Sequence, residues 1–446
     1  MRPAARLTLA SLLLALLASV ACARPAPPAP SEPIRTPPPA TTPAPESKPS
    51  PVVVVTPVVA PSPVATRSTG NVVPLSLGVQ VGRSGSDLRV ALLLMLQDDA
   101  YLGMAALQAA GNARLEELIA ANASLDQNAT SLSQIVTAVN GQPAGQQVLD
   151  NWRAANSDLV HYAQGGQSQQ DSARHDLEAR RSSIANSLAV GEFTSDEANN
   201  VLNIRFQQQL SLADAVTSRD AQHVLQTARD TSASGDDFSR AWAAAIAAQQ
   251  PDQVPTPTEG ADVDVRANFA RLYEERVYLL ADAEAASADR READARSAAQ
   301  AVSSNGSDIA ALISSAYGSD AANAYSQSLQ TEANALESAA GGGNRDQAAT
   351  DLDRVRGELD TLVATQNAIM PRGLLADEFR SVDQSLLAAS DAFTAHDFTS
   401  AYEDVHGAAK ASQRAADSLS QGIVDRFPIR FMVGTPTAGG GPRRRR

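Results

Sequence analysis

The sequence predicts an all-α protein, two tandem homologous helical bundles after a disordered proline-rich tether. Three observations lead there. The stretch from about residue 86 to residue 251 is written twice at an offset of 177, as Asp87-Leu88-Arg89 against Asp264-Val265-Arg266 and Tyr101-Leu102 against Tyr278-Leu279 show. Apolar residues inside each copy recur at helical spacing. Neither copy holds an alternating β-branched run bounded by turn residues.

The chain opens on an export signal. Arg2 and Arg6 precede an apolar run over residues 7–20. About 14 residues is export length and short for a membrane span. Ser19-Val20-Ala21 supplies small residues for cleavage, and Cys22, the only cysteine, follows at once. This resembles the lipobox of bacterial lipoproteins, whose cysteine is lipidated and becomes the new N-terminus. That motif favours Leu three residues before the cysteine, where this chain has Ser19. The same tripeptide suits ordinary signal peptidase, which would leave the protein secreted. Residues 1–21 are therefore read as a signal peptide and Cys22 as a lipidation site. The mature protein is placed on the extracytoplasmic side, bound to the membrane through its N-terminal lipid. A stray thiol in an oxidising compartment would be a liability, which favours a committed role for Cys22.

Residues 22–80 form the tether. Pro25, Pro27, Pro28 and Pro30 open it, with Ala, Thr and Ser between prolines. Such a segment has too little apolar surface to build a core. It favours extended polyproline II at about 3.1 Å per residue, so about fifty residues reach ~150 Å. The valine-rich run at residues 52–59 is broken by Pro57 and flanked by Pro51 and Pro61, and it stays with the tether.

The first repeat covers residues 81–255. Leu88, Leu92, Leu93, Leu96, Tyr101, Met104 and Leu107 mark its first helix, and residues 115–139 continue the rhythm. Gly141 ends a helix, and Pro143 suits the first turn of the next. Further helices are expected at residues 146–162, 171–189, 194–216 and 221–248. The second repeat, residues 256–430, has the same order, with Ser319 as the N-cap after Tyr317-Gly318. One compensated slip interrupts the register: Asp176-Leu177-Glu178 matches Asp351-Leu352-Asp353, two residues short of the common offset. A short stiff linker over residues 251–257 joins the repeats. Residues 431–446 are a flexible tail ending in four arginines, which can touch anionic surfaces.

Composition narrows the function. Aromatics are only 4% of the chain, and much of the apolar content is Ala, which favours helix but buries little area. The formal charge of -14 argues against general nucleic-acid binding, which needs a basic face.

Three stretches together resemble an uncharacterised family of small all-helical bacterial envelope proteins. They are the run from Asn305 to Tyr317-Gly318 and Ala321, the Tyr402-Glu403-Asp404-Val405-His406 run, and Gly422-Ile423 leading to Phe427-Pro428. The resemblance covers each repeat almost fully, the second better than the first. It implies fold more than function, because the family carries no established activity. The family tends to place His on several helices, which implies a polar or metal-binding interior. Here Asp99 and Arg276 stand at the first such position, and Ala155 and Glu332 at another. Only His406 remains, with Arg229 as its counterpart in repeat one.

The candidate chemistry is sparse. Glu403 and His406 share a helix face, as in carboxylate-bridged di-iron bundles. Glu275 and Glu332 are the other candidate ligands, but a second Glu-x-x-His is missing. No phosphate-binding glycine motif and no nucleophile elbow occurs, and no catalytic residue is assigned. The expected function is a non-enzymatic cell-surface lipoprotein without cofactor, whose bundles bind an envelope polymer or protein or serve a structural role. The alternative is a metal-binding, ferritin-like bundle with a remnant site in repeat two formed by Glu275, Glu332, Glu403 and His406.

Overall fold

The computed structural model describes residues 84–431 of the 446. The signal segment, Cys22, the tether with its valine-rich run, and the arginine tail lie outside the described residues. The described residues form helices and no strand. Half 1 contains α1 (Gly85–Gly111), α2 (Leu115–Asn140), α3 (Gln142–Gln164), α4 (Gln167–Leu188), α5 (Ser195–Ser218) and α6 (Ala221–Gln249). Half 2 contains α7 (Ala261–Ala288), α8 (Glu292–Tyr317), α9 (Ser319–Ala340), α10 (Arg345–Gln366), α11 (Leu374–Thr394) and α12 (Phe398–Arg426), and a short α13 (Pro428–Phe431) closes it.

Local chemistry explains most of the boundaries. Ser84 caps α1 by accepting from the Asp87 amide, and Thr194 with Glu197 forms a capping box on α5. Asp220 and Asp397, equivalent by the common offset, cap α6 and α12. Non-glycine residues with positive φ also come in equivalent pairs: Ala113 with Arg290, and Arg219 with His396. At these corners the two halves therefore use the same backbone.

The junctions α2–α3 and α8–α9 are the tightest test of the repeat. Gly141 has φ 88° and ψ 163°, and Gly318 has φ 91° and ψ 170°. Each ends one helix and begins the next within a single residue. That double duty corrects one expectation: Ser319 is not an N-cap but the first residue of α9, and Gly318 caps it without a side chain. The slip is also visible. Buried Ala173 and Leu177 of α4 correspond to buried Ala348 and Leu352 of α10 at an offset of 175, and Ala198 of α5 and Leu375 of α11 restore the original spacing.

In each half the first helix is central. α1 packs against α2, α3, α5 and α6, and α7 packs against α8, α9, α11 and α12. α1 is apolar on nearly all sides, as a fully enclosed helix must be. It is long and apolar enough to cross a membrane, but 83% of its most apolar window is buried inside this fold, which accounts for the composition.

The halves share their interior. α1 packs on α7, α6 on α8, and α12 on α2. One apolar cluster joins Leu92 and Leu96 to Tyr278, Leu386 and Phe393, and the other joins Val90, Leu93 and Leu94 of α1 to Phe269, Tyr273 and Phe379. The linker is packed too. The Gly85 amide donates to Thr256 Oγ1 at 2.7 Å, and Val254 and Thr258 are buried.

A backbone with ψ near 170° at positive φ is essentially restricted to glycine. Gly141→Ala and Gly318→Ala are each expected to cost about 1–3 kcal/mol. Urea unfolding of the two variants checks this, and closely similar losses are expected because the junctions are equivalent.

Candidate functional site

The concentration of buried polar groups follows the α1–α7 contact, here called the seam. The two helices run side by side in register. Near their N-termini, Arg89 of α1 pairs with Asp264 of α7 at 2.7 Å, and Arg266 of α7 pairs with Asp87 of α1 at 2.5 Å. Each arginine also takes an aspartate from the last helix of its own half, Asp236 at 3.0 Å and Asp417 at 2.8 Å. Further along, Tyr101 and Tyr278, equivalent by the repeat, stack with ring centroids 5.3 Å apart and planes within 4°. Equivalent residues meeting face to face place a local two-fold axis between α1 and α7.

Between these contacts the seam departs from symmetry. Gln97-Asp98-Asp99 of α1 stands where α7 has Glu274-Glu275-Arg276. Glu275 is held by Arg229 of α6 at 2.7 Å, by Arg271 at 3.2 Å and by Asn305 at 3.1 Å. Asp98 receives the Tyr278 hydroxyl at 2.6 Å and lies within electrostatic reach of His406 of α12, the counterpart of Arg229. Asp98 is 4% exposed and its neighbour Glu274 1%. Glu274 Oε1 accepts from Gln413 at 3.3 Å, while Oε2 finds no N–H or O–H donor among the described residues. The two carboxyl groups are satisfied together only when a proton sits between them. Burial raises both pKa values; the Asp98 charge pushes Glu274 further up, and His406 and Tyr278 partly offset the rise at Asp98.

The positions where the resemblance led to histidines hold buried ion pairs instead. Asp99 accepts from Trp152 Nε1 at 2.7 Å, Arg205 at 2.6 Å and Gln209 at 3.0 Å, which saturates it. Arg276 donates to Glu332 at 2.6 and 2.9 Å, and Asp383 and Arg356 extend that network. Ala155 lies buried in the apolar core.

The four candidate ligands do not converge. Glu275 and Glu332 are each committed to arginines, Glu403 is exposed, and half-buried His406 lies within electrostatic reach of Asp98. Among the described residues no group of three or more His, Cys, Asp or Glu side chains is arranged to hold a metal ion. Sequence reasoning missed Asp98 and Glu274. The signal available was that both sit inside the apolar rhythm of the first helix of each repeat, where a carboxylate is expensive.

An open cleft of about 700 Å³ lies between half 2 and the start of α1, where Ser84 and Ser86 join its lining. Ile369, Met370 and Leu374 give it an apolar side, and Arg266, Asp417 and Gln421 a polar one. Gly422 shapes one wall. Asn367 donates to its carbonyl at 2.6 Å, and a Cβ there would fall 2.5 Å from Met370 Sδ. That close approach gives the Gly422-Ile423 element of the motif its physical reason.

Comparison of the chain with family models, with curated proteins and with solved structures finds no match.

A carboxyl group whose folded pKa exceeds its unfolded one binds protons more readily in the native state. Its contribution is therefore most favourable in acid and is lost as pH rises from the ordinary carboxyl range through the folded pKa. Repeat one supplies the neutral isostere, because Gln97 stands where Glu274 does. Glu274→Gln keeps a donor for Asp98 and needs no proton. It is expected to stabilise the protein by about 1–3 kcal/mol at pH 8 and by much less at pH 4.5. Thermal unfolding of both proteins across this range checks it; equal shifts at the two pH values would contradict the shared proton.

Proposed function

We propose that the protein is a non-enzymatic, exported lipoprotein that presents its paired helical bundles at the cell surface as a binding or structural module. The observation that supports this reading best is the cleft beside Arg266. Its volume of about 700 Å³ and its mixed lining of Ile369, Met370, Arg266, Asp417 and Gln421 suit a segment of a partner protein or polymer. The interior points the same way. Glu275, Glu332, Asp99 and Asp383, the acidic groups nearest the positions of interest, are bound to arginines and serve the fold. The net charge of -14 favours partners other than nucleic acid. The resemblance to small helical envelope proteins and the export-type N-terminus support the location.

Two measurements test the proposal. Cys22→Ser is expected to move the protein from the membrane fraction to the soluble exported fraction, because two or more acyl chains at about 0.8 kcal/mol per buried methylene are needed for firm anchoring. Unchanged membrane partitioning would remove the anchor from the proposal. Full-length protein purified after exposure to iron, zinc, copper and manganese is expected to retain less than stoichiometric metal. One equivalent of metal that disappears in His406→Ala would overturn the non-enzymatic reading.

A further inference from the structure

The seam has the reciprocity of an isologous interface, in which residue i meets j and j meets i. Arg89–Asp264 is answered by Arg266–Asp87, α6 on α8 is answered by α12 on α2, and Tyr101 meets its own equivalent, Tyr278. Such a surface is self-complementary, so each half presents a seam that fits a half of the same kind as well as its partner. The residues off the axis then decide which pairings are favourable.

Three equivalent positions carry that decision: 97 and 274, 98 and 275, 229 and 406. In the chain as it stands, Arg229 meets Glu275, Asp98 meets Glu274, and His406, at the position equivalent to Arg229, lies within electrostatic reach of Asp98. Pairing two copies of half 1 by the same two-fold would set Arg229 against Asp98 and Gln97 beside Asp98, on both sides. Every carboxylate would then have a cation and an amide donor. Pairing two copies of half 2 would set Glu274 beside Glu275 on both sides, four buried carboxyl groups that keep Arg271 and His406 of each copy but lose both contacts with Arg229. Like charges forced together at a buried contact are a strong selector against the wrong partner.

We propose that the seam is a heterotypic docking surface for a second copy of this chain. Half 1 accepts either a half 2 or another half 1, and half 2 accepts only a half 1. Two molecules can therefore exchange halves into a swapped dimer, and the pairing of two half 2 seams is the disfavoured one. The three positions are specificity determinants of self-recognition; the stacked tyrosines and the apolar cluster around them supply the affinity common to every pairing.

The test uses the full chain with a protease site inserted after Asp252, an exposed linker position. After cleavage the halves are expected to remain a one-to-one complex by light scattering, and to exchange partners with a differently tagged cleaved copy. Two triple variants then separate recognition from general damage. Glu274→Gln with Glu275→Asp and His406→Arg writes the half 1 residues into half 2. It is expected to leave the Kd between cleaved halves within about threefold of wild type, or tighter. Gln97→Glu with Asp98→Glu and Arg229→His writes the half 2 residues into half 1. It is expected to raise the Kd by about 100-fold or more at pH 8. Circular dichroism of each uncleaved variant reports whether it folds. Wild-type halves that separate without measurable affinity overturn the proposal, as do equal losses from the two exchanges. If the second variant fails to fold uncleaved, the first decides: a weakened Kd there also overturns it.

Discussion

The contact of α1 with α7 is the constraint on which the rest of the described structure depends. Each helix is the centre of its own half, and α1 is too apolar to leave a face in water. α1 buries Val90, Leu93 and Leu94 in a cluster otherwise built from half 2, alongside Phe269, Tyr273 and Phe379. Removing one half would expose that face of α1, and a patch of this kind on an isolated bundle invites association. The stack of Tyr101 on Tyr278 sits at the axis of the contact, and the reciprocal arginine–aspartate pairs hold its N-terminal end. Packing of the outer helices follows, because α6 reaches α8 and α12 reaches α2 only when the central pair is in register.

The polar groups along this contact are costly, and the costs differ by site. Asp99 is saturated by three donors and Glu275 by two arginines and Asn305, so both charges are compensated. Glu274 relies on a proton shared with Asp98. Glu284 is less well served still: it is 1% exposed, neither carboxyl oxygen has a partner among the described residues, and burial drives its pKa well up with only partial relief from Arg345. Leu107 fills the equivalent place in half 1. Buried ionisable groups of this sort are weak evidence for stability and stronger evidence for selectivity between alternative packings. At the seam the alternatives are concrete, because the repeat creates three geometrically equivalent ways to pair two halves.

Much of this was legible before any coordinates. The helical rhythm of Leu88, Leu92, Leu96 and Leu107 places α1 within a few residues, and Gly141 and Gly318 mark the junctions because their conformation excludes other residues. The slip at Leu177 and Leu352 shows in the sequence and again in the paired buried positions. The shared interior was not legible. An all-round apolar helix signals burial without saying against which neighbour, so α1 reads equally well as the core of one bundle or the bond between two. Ser319 misleads because a good capping residue after a glycine looks like a cap, whereas a junction of one residue leaves it inside the helix. The acidic candidates mislead for a related reason. Glu275, Glu332, Glu403 and His406 are of ligand type, and only three-dimensional placement shows that Arg229, Arg271 and Arg276 reach two of them first.

Fusion of the halves in one chain also explains why the seam can be asymmetric at all. In a symmetric dimer of a single module, every residue at the axis occurs twice, so a carboxylate there meets its own copy. Neither Glu274 nor Glu275 would be tolerated beside the other's twin under that constraint. Once the modules are joined, positions 97 and 274 change separately, as do 229 and 406. Half 1 then keeps the neutral Gln97 and the permanent cation Arg229, while half 2 carries the two glutamates and His406. Arg229 of half 1 reaches Glu275 of half 2, a cation that half 2 paired with itself would lack. The packed linker, through Thr256 and buried Val254, holds the favourable partner close and completes that preference.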